Sequence, residues 1–354
     1  MSRLLTAALT TAVLAVSTAA GAGDGEALSP LRHYLQQNWQ TADGLPQNSV
    51  RSIVQTAEGY LWFGTAEGLV RFDGNRFIVY DRTSTPALPS GNIQSLAVAS
   101  DGALWIAFRR QGLARFHAGQ LTRWTTKEGL SGNEIDSLLA TPDGSIWAGI
   151  ATRGLNRIRD GRVTTYRREQ GLPDNSCYAL AVGADGAVLV GTATGAVRVS
   201  DAGVKPIAFP EGDKPTPVMA ILENHAGLWL GSPRGLWFVG RERQKKYSAA
   251  DGLPSNDVTS IRQGRDHTIW VTLRSGGLAR MRDNGRFESF GLDEGLANDF
   301  VHTMYEDREH NLWVGTNTAG VPGRAGMPWR VTVSATWTCS LSRSATGLRL
   351  SACS

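Results

Sequence analysis

Cysteine is scarce in this chain: Cys177, Cys339 and Cys353 are the only three among 354 residues, and none stands in a CxxC or Cys/His spacing. That excludes a disulfide framework and gives no sign of a zinc site. No Lys/Arg block occurs either. Lys+Arg outnumber Asp+Glu by only 36 to 32, a formal charge of +4, and without a concentrated basic stretch no nucleic-acid partner is expected. GxSxG, HExxH and P-loop patterns are absent too, so neither catalysis, a metal nor a cofactor is expected. Helical periodicity is nearly missing. One long apolar run exists, at the N-terminus, where MSRLLTAALTTAVLAVSTAAGAG places Arg3 before an Ala/Leu/Val stretch and ends in small residues. This is the layout of a secretory signal peptide over residues 1–22; the alternative, an uncleaved membrane anchor, is the weaker reading because the stretch is short and rich in Thr and Ala.

What is present instead is repetition. LWFGT (61–65) returns as LWIAF, IWAGI, VLVGT, LWLGS, IWVTL and LWVGT, with second positions Trp62, Trp105, Trp147, Leu189, Trp229, Trp270 and Trp313, spaced by 43, 42, 42, 40, 41 and 43 residues. Upstream of each stands a second apolar anchor, in turn Val50, Ile93, Ile135, Cys177, Val218, Val258 and Val301. A Gly-Leu turn precedes most of them, as GLPQN, GLSGN, GLPDN, GLPSN and GLAND, with ALPSGN a variant. Within one unit, Val50–Gln55 reads as a strand, Glu58-Gly59 as a turn, Leu61–Thr65 as a second strand, Gly68–Phe72 as a third and Arg76–Tyr80 as a fourth. Four strands every 40 to 45 residues predict an all-β fold, a β-propeller of about seven four-stranded blades of about 42 residues each. The repeated Trp residues are then expected to pack between blades. Blades four and five are the least regular, the fifth having PEGDKPTP (210–217) in place of the Gly-Leu turn.

A unit of GLP turn, apolar strand, D-x-x-G turn, LWVGT and GL-x-R resembles the two-component regulator propeller repeat, over about residues 31–320. The resemblance implies a periplasmic, ligand-binding sensor region of a bacterial hybrid histidine kinase or diguanylate cyclase, with carbohydrate fragments as the ligands of the kinases. It also implies more blades, a β-sandwich, a membrane span and an output domain beyond, and a homodimer in the full-length sensor. This chain departs from that pattern. It carries no second apolar span, His-kinase box or GGDEF motif, and residues 321–354 (VPGRAGMPWRVTVSATWTCSLSRSATGLRLSACS) hold no repeat register. The expectation is a seventh unit left incomplete and a tail produced by a frameshift or premature end. Arg330–Val333 would supply a fourth strand, and Leu31–Gln40 (LRHYLQQNWQ) would complete the last blade as its outer strand.

A propeller gives a fold, not a function. The residue after each first-strand anchor changes chemistry from blade to blade, as Arg51, Gln94, Asp136, Tyr178, Met219, Thr259 and His302, while the next is always small (Ser52, Ser95, Ser137, Ala179, Ala220, Ser260, Thr303). Constant positions hold blades together, and varied rim positions read a ligand. The loops between second and third strands add Arg109, Arg110, Arg153, Arg234 and Arg274, whose forks suit carboxylate or sulfate groups. The expected partner is a small molecule or oligosaccharide, anionic or polyhydroxylated. Two alternatives are a propeller lyase of the streptogramin lyase type, with His302 at the rim, and a protein-interaction scaffold.

Overall fold

The computed structural model describes residues 35–209, 217–317, 333–337, 341–344 and 347–350, all within one unit, 31–354. The expected signal peptide and the 210–216 part of the blade-five loop lie outside the described residues.

Each Gly-Leu turn is built the same way. A short 3-10 turn such as Thr41–Asp43 or Thr126–Glu128 ends on a glycine in the left-handed region (Gly44 φ 106°, Gly129 φ 100°), a conformation that disfavours any side chain. The next residue, Leu45 or Leu130, is buried. The asparagine of the motif reaches back, its Oδ1 accepting from Thr41 N at 2.9 Å (Asn48) and from Thr126 N at 3.0 Å (Asn133). The motif thus specifies a clamped connection from the outer strand of one blade to the inner strand of the next.

The inner strands are Val50–Gln55, Ile93–Val98, Ile135–Ala140, Cys177–Val182, Ala220–Asn224, Val258–Gln263 and Val301–Glu306. Each packs against the inner strands on both sides, and the last packs against the first, so they form a closed ring. The Trp anchors on the second strands are all buried, at 2–8% exposure. The glycine two residues after them permits a close approach: a Cβ on Gly64 would stand 2.6 Å from Ile93 Cγ2, and one on Gly231 2.6 Å from Val258 Cγ1. The Asp-Gly turns combine two roles. Asp143 accepts from Ser145 N at 3.0 Å, closing the hairpin, and from Arg157 Nη2 at 2.9 Å, and the same guanidinium lies 5.1 Å from the Trp147 ring centroid. Asp101 and Arg115 repeat the pairing at 2.7 Å. The recurrent Arg of GL-x-R therefore belongs to the packing of the far face.

The expectation of seven four-stranded blades is corrected. The structure builds six of them, each a meander of four consecutive strands, from Val50–Tyr80 through Val258–Phe290. The remaining sheet is not a repeat unit. It takes Val301–Glu306 and Leu312–Thr316 from the last repeat, Val333–Trp337 as third strand and Leu35–Trp39 as outermost. The physical reason is the loss of the GL-x-R strand after Leu312–Thr316. The open edge is paired by a later segment, 333–337 rather than 330–333, and that segment by the N-terminal strand. Leu341–Ser344 and Gly347–Leu350 pair only with each other.

Candidate ligand site at the channel mouth

Six inner strands share an irregularity. In the first blade Val50 pairs with Thr65 and Ser52 with Gly64, so that Arg51 is left without a cross-strand partner, and the same shift occurs at Gln94, Asp136, Tyr178, Thr259 and His302. A β-bulge of this kind re-aims one side chain. All six, with Met219 of the fifth blade, line one central cavity of about 620 Å³. The small residues that follow tie the ring together: Ser52 Oγ accepts from Leu96 N at 3.0 Å and Ser137 Oγ donates to Cys177 O at 2.9 Å.

Of the ten candidate residues, Arg51, Gln94, Asp136, Tyr178, His302, Arg109 and Arg274 line this cavity. Arg110, Arg153 and Arg234 do not. Arg110 pairs on the surface with Glu134 at 3.7 Å, while Arg153 and Arg234 are exposed in tight turns before Gly154 and Gly235. Sequence reasoning passed over Glu134, Arg262, Phe300 and Asn317, which also line it. Phe300 and Asn317 flank repeat positions whose residue type varies. Arg262 did carry a signal, as the one charged residue in its column of the repeat.

The electrostatics are uneven. Arg51 is half-buried and donates from Nη1 to Asn92 Oδ1 at 2.6 Å; burial first, then the Arg109 charge, disfavours its protonated form. Arg109 makes no ion pair among the described residues. Arg274 is neutralised by Asp257 Oδ2 at 2.8 Å and lies 5.2 Å over the Phe300 ring. The Asp136 carboxyl is pushed up to about 6 by burial and by Glu134, against the pull of Arg109. His302 packs against Phe300 with ring centroids 4.5 Å apart and the rings tilted by 41°, and burial, with Arg51 and Arg274 adding to it and an Asn317 hydrogen bond opposing, pushes it down to about 4. His302 is therefore neutral near pH 7, a hydrogen-bonding group rather than a charge.

These features define a β-propeller with a polar, arginine-lined central cavity. The family profile described as two component regulator propeller matches residues 44–67 and 295–318, the Gly-Leu turn and first two strands of the first blade and of the closing sheet. The fold of the chain is similar to the extracellular domain of a protein assigned as a hybrid two component system from B. thetaiotaomicron, at 22% identity and a TM-score of 0.71, covering 86% of this chain and 42% of that one. The extracellular domain of a protein assigned as a one component system from the same organism matches at 18% identity and a TM-score of 0.69, covering 88% and 40%. The chain thus spans about two fifths of those domains, at 42% and 40%. Virginiamycin B lyase from Staphylococcus aureus is also similar in fold, at 17% identity and a TM-score of 0.62, covering 80% and 95%. No functionally curated protein matches the sequence. Among the described residues, no helix is long and apolar enough to cross a membrane.

Proposed function

We propose that the chain is an extracytoplasmic ligand-binding sensor region of a two-component or cyclase signalling protein, and that it takes an anionic or polyhydroxylated small molecule, such as an acidic oligosaccharide, in the central cavity. One observation carries this reading. Arg51 and Arg109 line the same cavity, the Arg109 charge disfavours that of the half-buried Arg51, and neither has an ion pair among the described residues. A half-buried guanidinium beside a like charge is unfavourable, and an acidic group bound between Arg51 and Arg109 would relieve it. The fold likeness to extracellular domains of bacterial one- and two-component proteins supports the extracytoplasmic placement, as does the signal-peptide layout of the N-terminus. A propeller lyase has less support, because among the described residues no three His, Cys, Asp or Glu side chains gather as metal ligands.

The test is calorimetric titration of the secreted protein with acidic oligosaccharides and their neutral counterparts. Binding of the acidic members, weakened in Arg51→Ala and Arg109→Ala, supports the proposal. Turnover of a ligand, or binding that ignores both substitutions, overturns it.

A further inference from the structure

Three residues beyond the bulge, each inner strand presents a position opposite the second-strand anchor. In six sheets it holds Val54, Ala97, Leu139, Ala181, Leu222 and Tyr305, paired with Trp62, Trp105, Trp147, Leu189, Trp229 and Trp313. The sixth blade alone places a charge there, Arg262 opposite Trp270. The fold therefore does not require a charge at this position.

Arg262 makes no hydrogen bond or ion pair among the described residues. It lines the central cavity and also a second crevice of about 320 Å³ between the sixth blade, the closing sheet and the first blade. Arg262 is exposed to solvent in these openings, while the protein around it disfavours its charge, with only the Tyr305 side chain acting in the opposite sense. Glu306, the carboxylate of the crevice, is already engaged: Oε2 accepts from Arg265 N at 2.9 Å and Oε1 meets His310 Nδ1 at 3.0 Å. A guanidinium that lines the cavity and has no counter-charge of its own is placed to receive an acidic group of a bound ligand.

We propose that Arg262 is a second anion-recognising position, deep in the channel, and that the cavity selects an elongated ligand carrying two acidic groups. One would sit at the rim near Arg51 and Arg109, the other at Arg262. At about 3.3 Å per strand residue, the three residues from Thr259 to Arg262 set the two levels about 10 Å apart along the channel. This inference rests on the ligand-binding reading above and adds the spacing and number of the acidic groups.

The experiment uses the full chain and a graded set of probes, the α,ω-dicarboxylates from succinate to sebacate with their matching monocarboxylates, titrated by calorimetry. Affinity should rise with length to a maximum where the carboxylates span about 10 Å, a maximum that the monoacids do not show. Arg262→Met should remove the advantage of the long diacids, roughly tenfold to a hundredfold, and leave the monoacids unchanged, whereas Arg51→Met should weaken both. The ligand-free Arg262→Met protein should melt no lower than the native one, because an uncompensated charge has been removed. Unchanged diacid binding in Arg262→Met overturns the inference while the rim site stands. A large fall in its melting temperature makes Arg262 structural and also overturns it. If no acid of either series binds, the ligand-binding reading fails with it.

Discussion

The Arg51 guanidinium donates to Asn92 Oδ1 at 2.6 Å, joining the bulge of the first inner strand to the loop that opens the second blade. The same loop accepts from Arg109 N through Asn92 O at 3.1 Å. One asparagine therefore holds the Arg51 side chain and the Arg109 backbone, and the mouth is pre-shaped by a contact between blades.

Asn92→Ala should lower stability by about 1.5–3 kcal/mol, the range for a hydrogen bond to a charged group. Arg51→Met should be milder, because it also removes the repulsion with Arg109. Urea denaturation of both variants checks the order, and a larger loss for Arg51→Met would show that the guanidinium is held by contacts other than Asn92.

The pH dependence of stability should show two opposing contributions. Asp136 has its pKa raised from 3.8 to about 6, so the folded chain holds a proton that the unfolded chain has released. That contribution is complete below the unfolded value and is lost as pH rises through about 6. His302 is lowered from 6.5 to about 4, so its contribution is complete above the unfolded value and is lost as pH falls through about 4. Between these limits the slopes partly cancel. His302→Gln should leave a stability that falls with rising pH, by about 1 kcal/mol once solvent screening of the partly exposed Asp136 is counted. Asp136→Asn should leave one that rises, by up to about 3 kcal/mol. Denaturation curves between pH 4 and 6.5 that stay parallel in all three proteins would contradict this assignment.

The propeller was legible because Trp62 and its successors mark one strand per unit, and because Gly, Asp and Asn sit where left-handed turns and clamps need them. The mouth was legible in part, since the bulge that turns Arg51 and Gln94 inward falls on a column whose chemistry varies. Arg110, Arg153 and Arg234 stayed outside the cavity because where a loop side chain points depends on turn geometry that spacing does not encode. Arg262 escaped notice for the opposite reason. It lies inside a strand read only for its apolar pattern, although Val54, Ala97 and Leu139 in its column made its charge conspicuous. The closing sheet was the hardest part, because Val333–Trp337 carries no repeat register and is recruited only by the open edge beside it.

The close approach of neighbouring blades can be tested as a coupling. Gly231→Ala would drive a methyl against Val258 Cγ1 at 2.6 Å and Ala220 Cβ at 3.0 Å, an overpacking worth about 1–3 kcal/mol. Val258→Ala opens a cavity at a fully buried site, costing about 2 kcal/mol. The double variant should be more stable than the sum of the two losses by about 1 kcal/mol or more, because the removed methyl groups make room for the added one. Strict additivity in urea would mean that the second strand of the fifth blade and the inner strand of the sixth do not meet there.

Ring closure offers the last test. Trp39, on the outermost strand of the closing sheet, stacks on Trp313 with ring centroids 5.1 Å apart and an interplanar angle of 17°, and meets Phe72 at 5.8 Å and Phe77 at 6.4 Å of the first blade. A single side chain thus bridges the seam between the beginning and the end of the ring. Trp39→Ala should lower stability by about 3–5 kcal/mol, as for loss of a core aromatic, and Trp39→Phe by less, since a smaller ring keeps part of the stack. The loss should be local at first: limited proteolysis should cut near the seam before the blades between Ile93 and Phe290 yield. Cleavage that begins in those middle blades, or a Trp39→Ala protein as stable as the native one, would show that the seam is held by backbone pairing without the aromatic bridge.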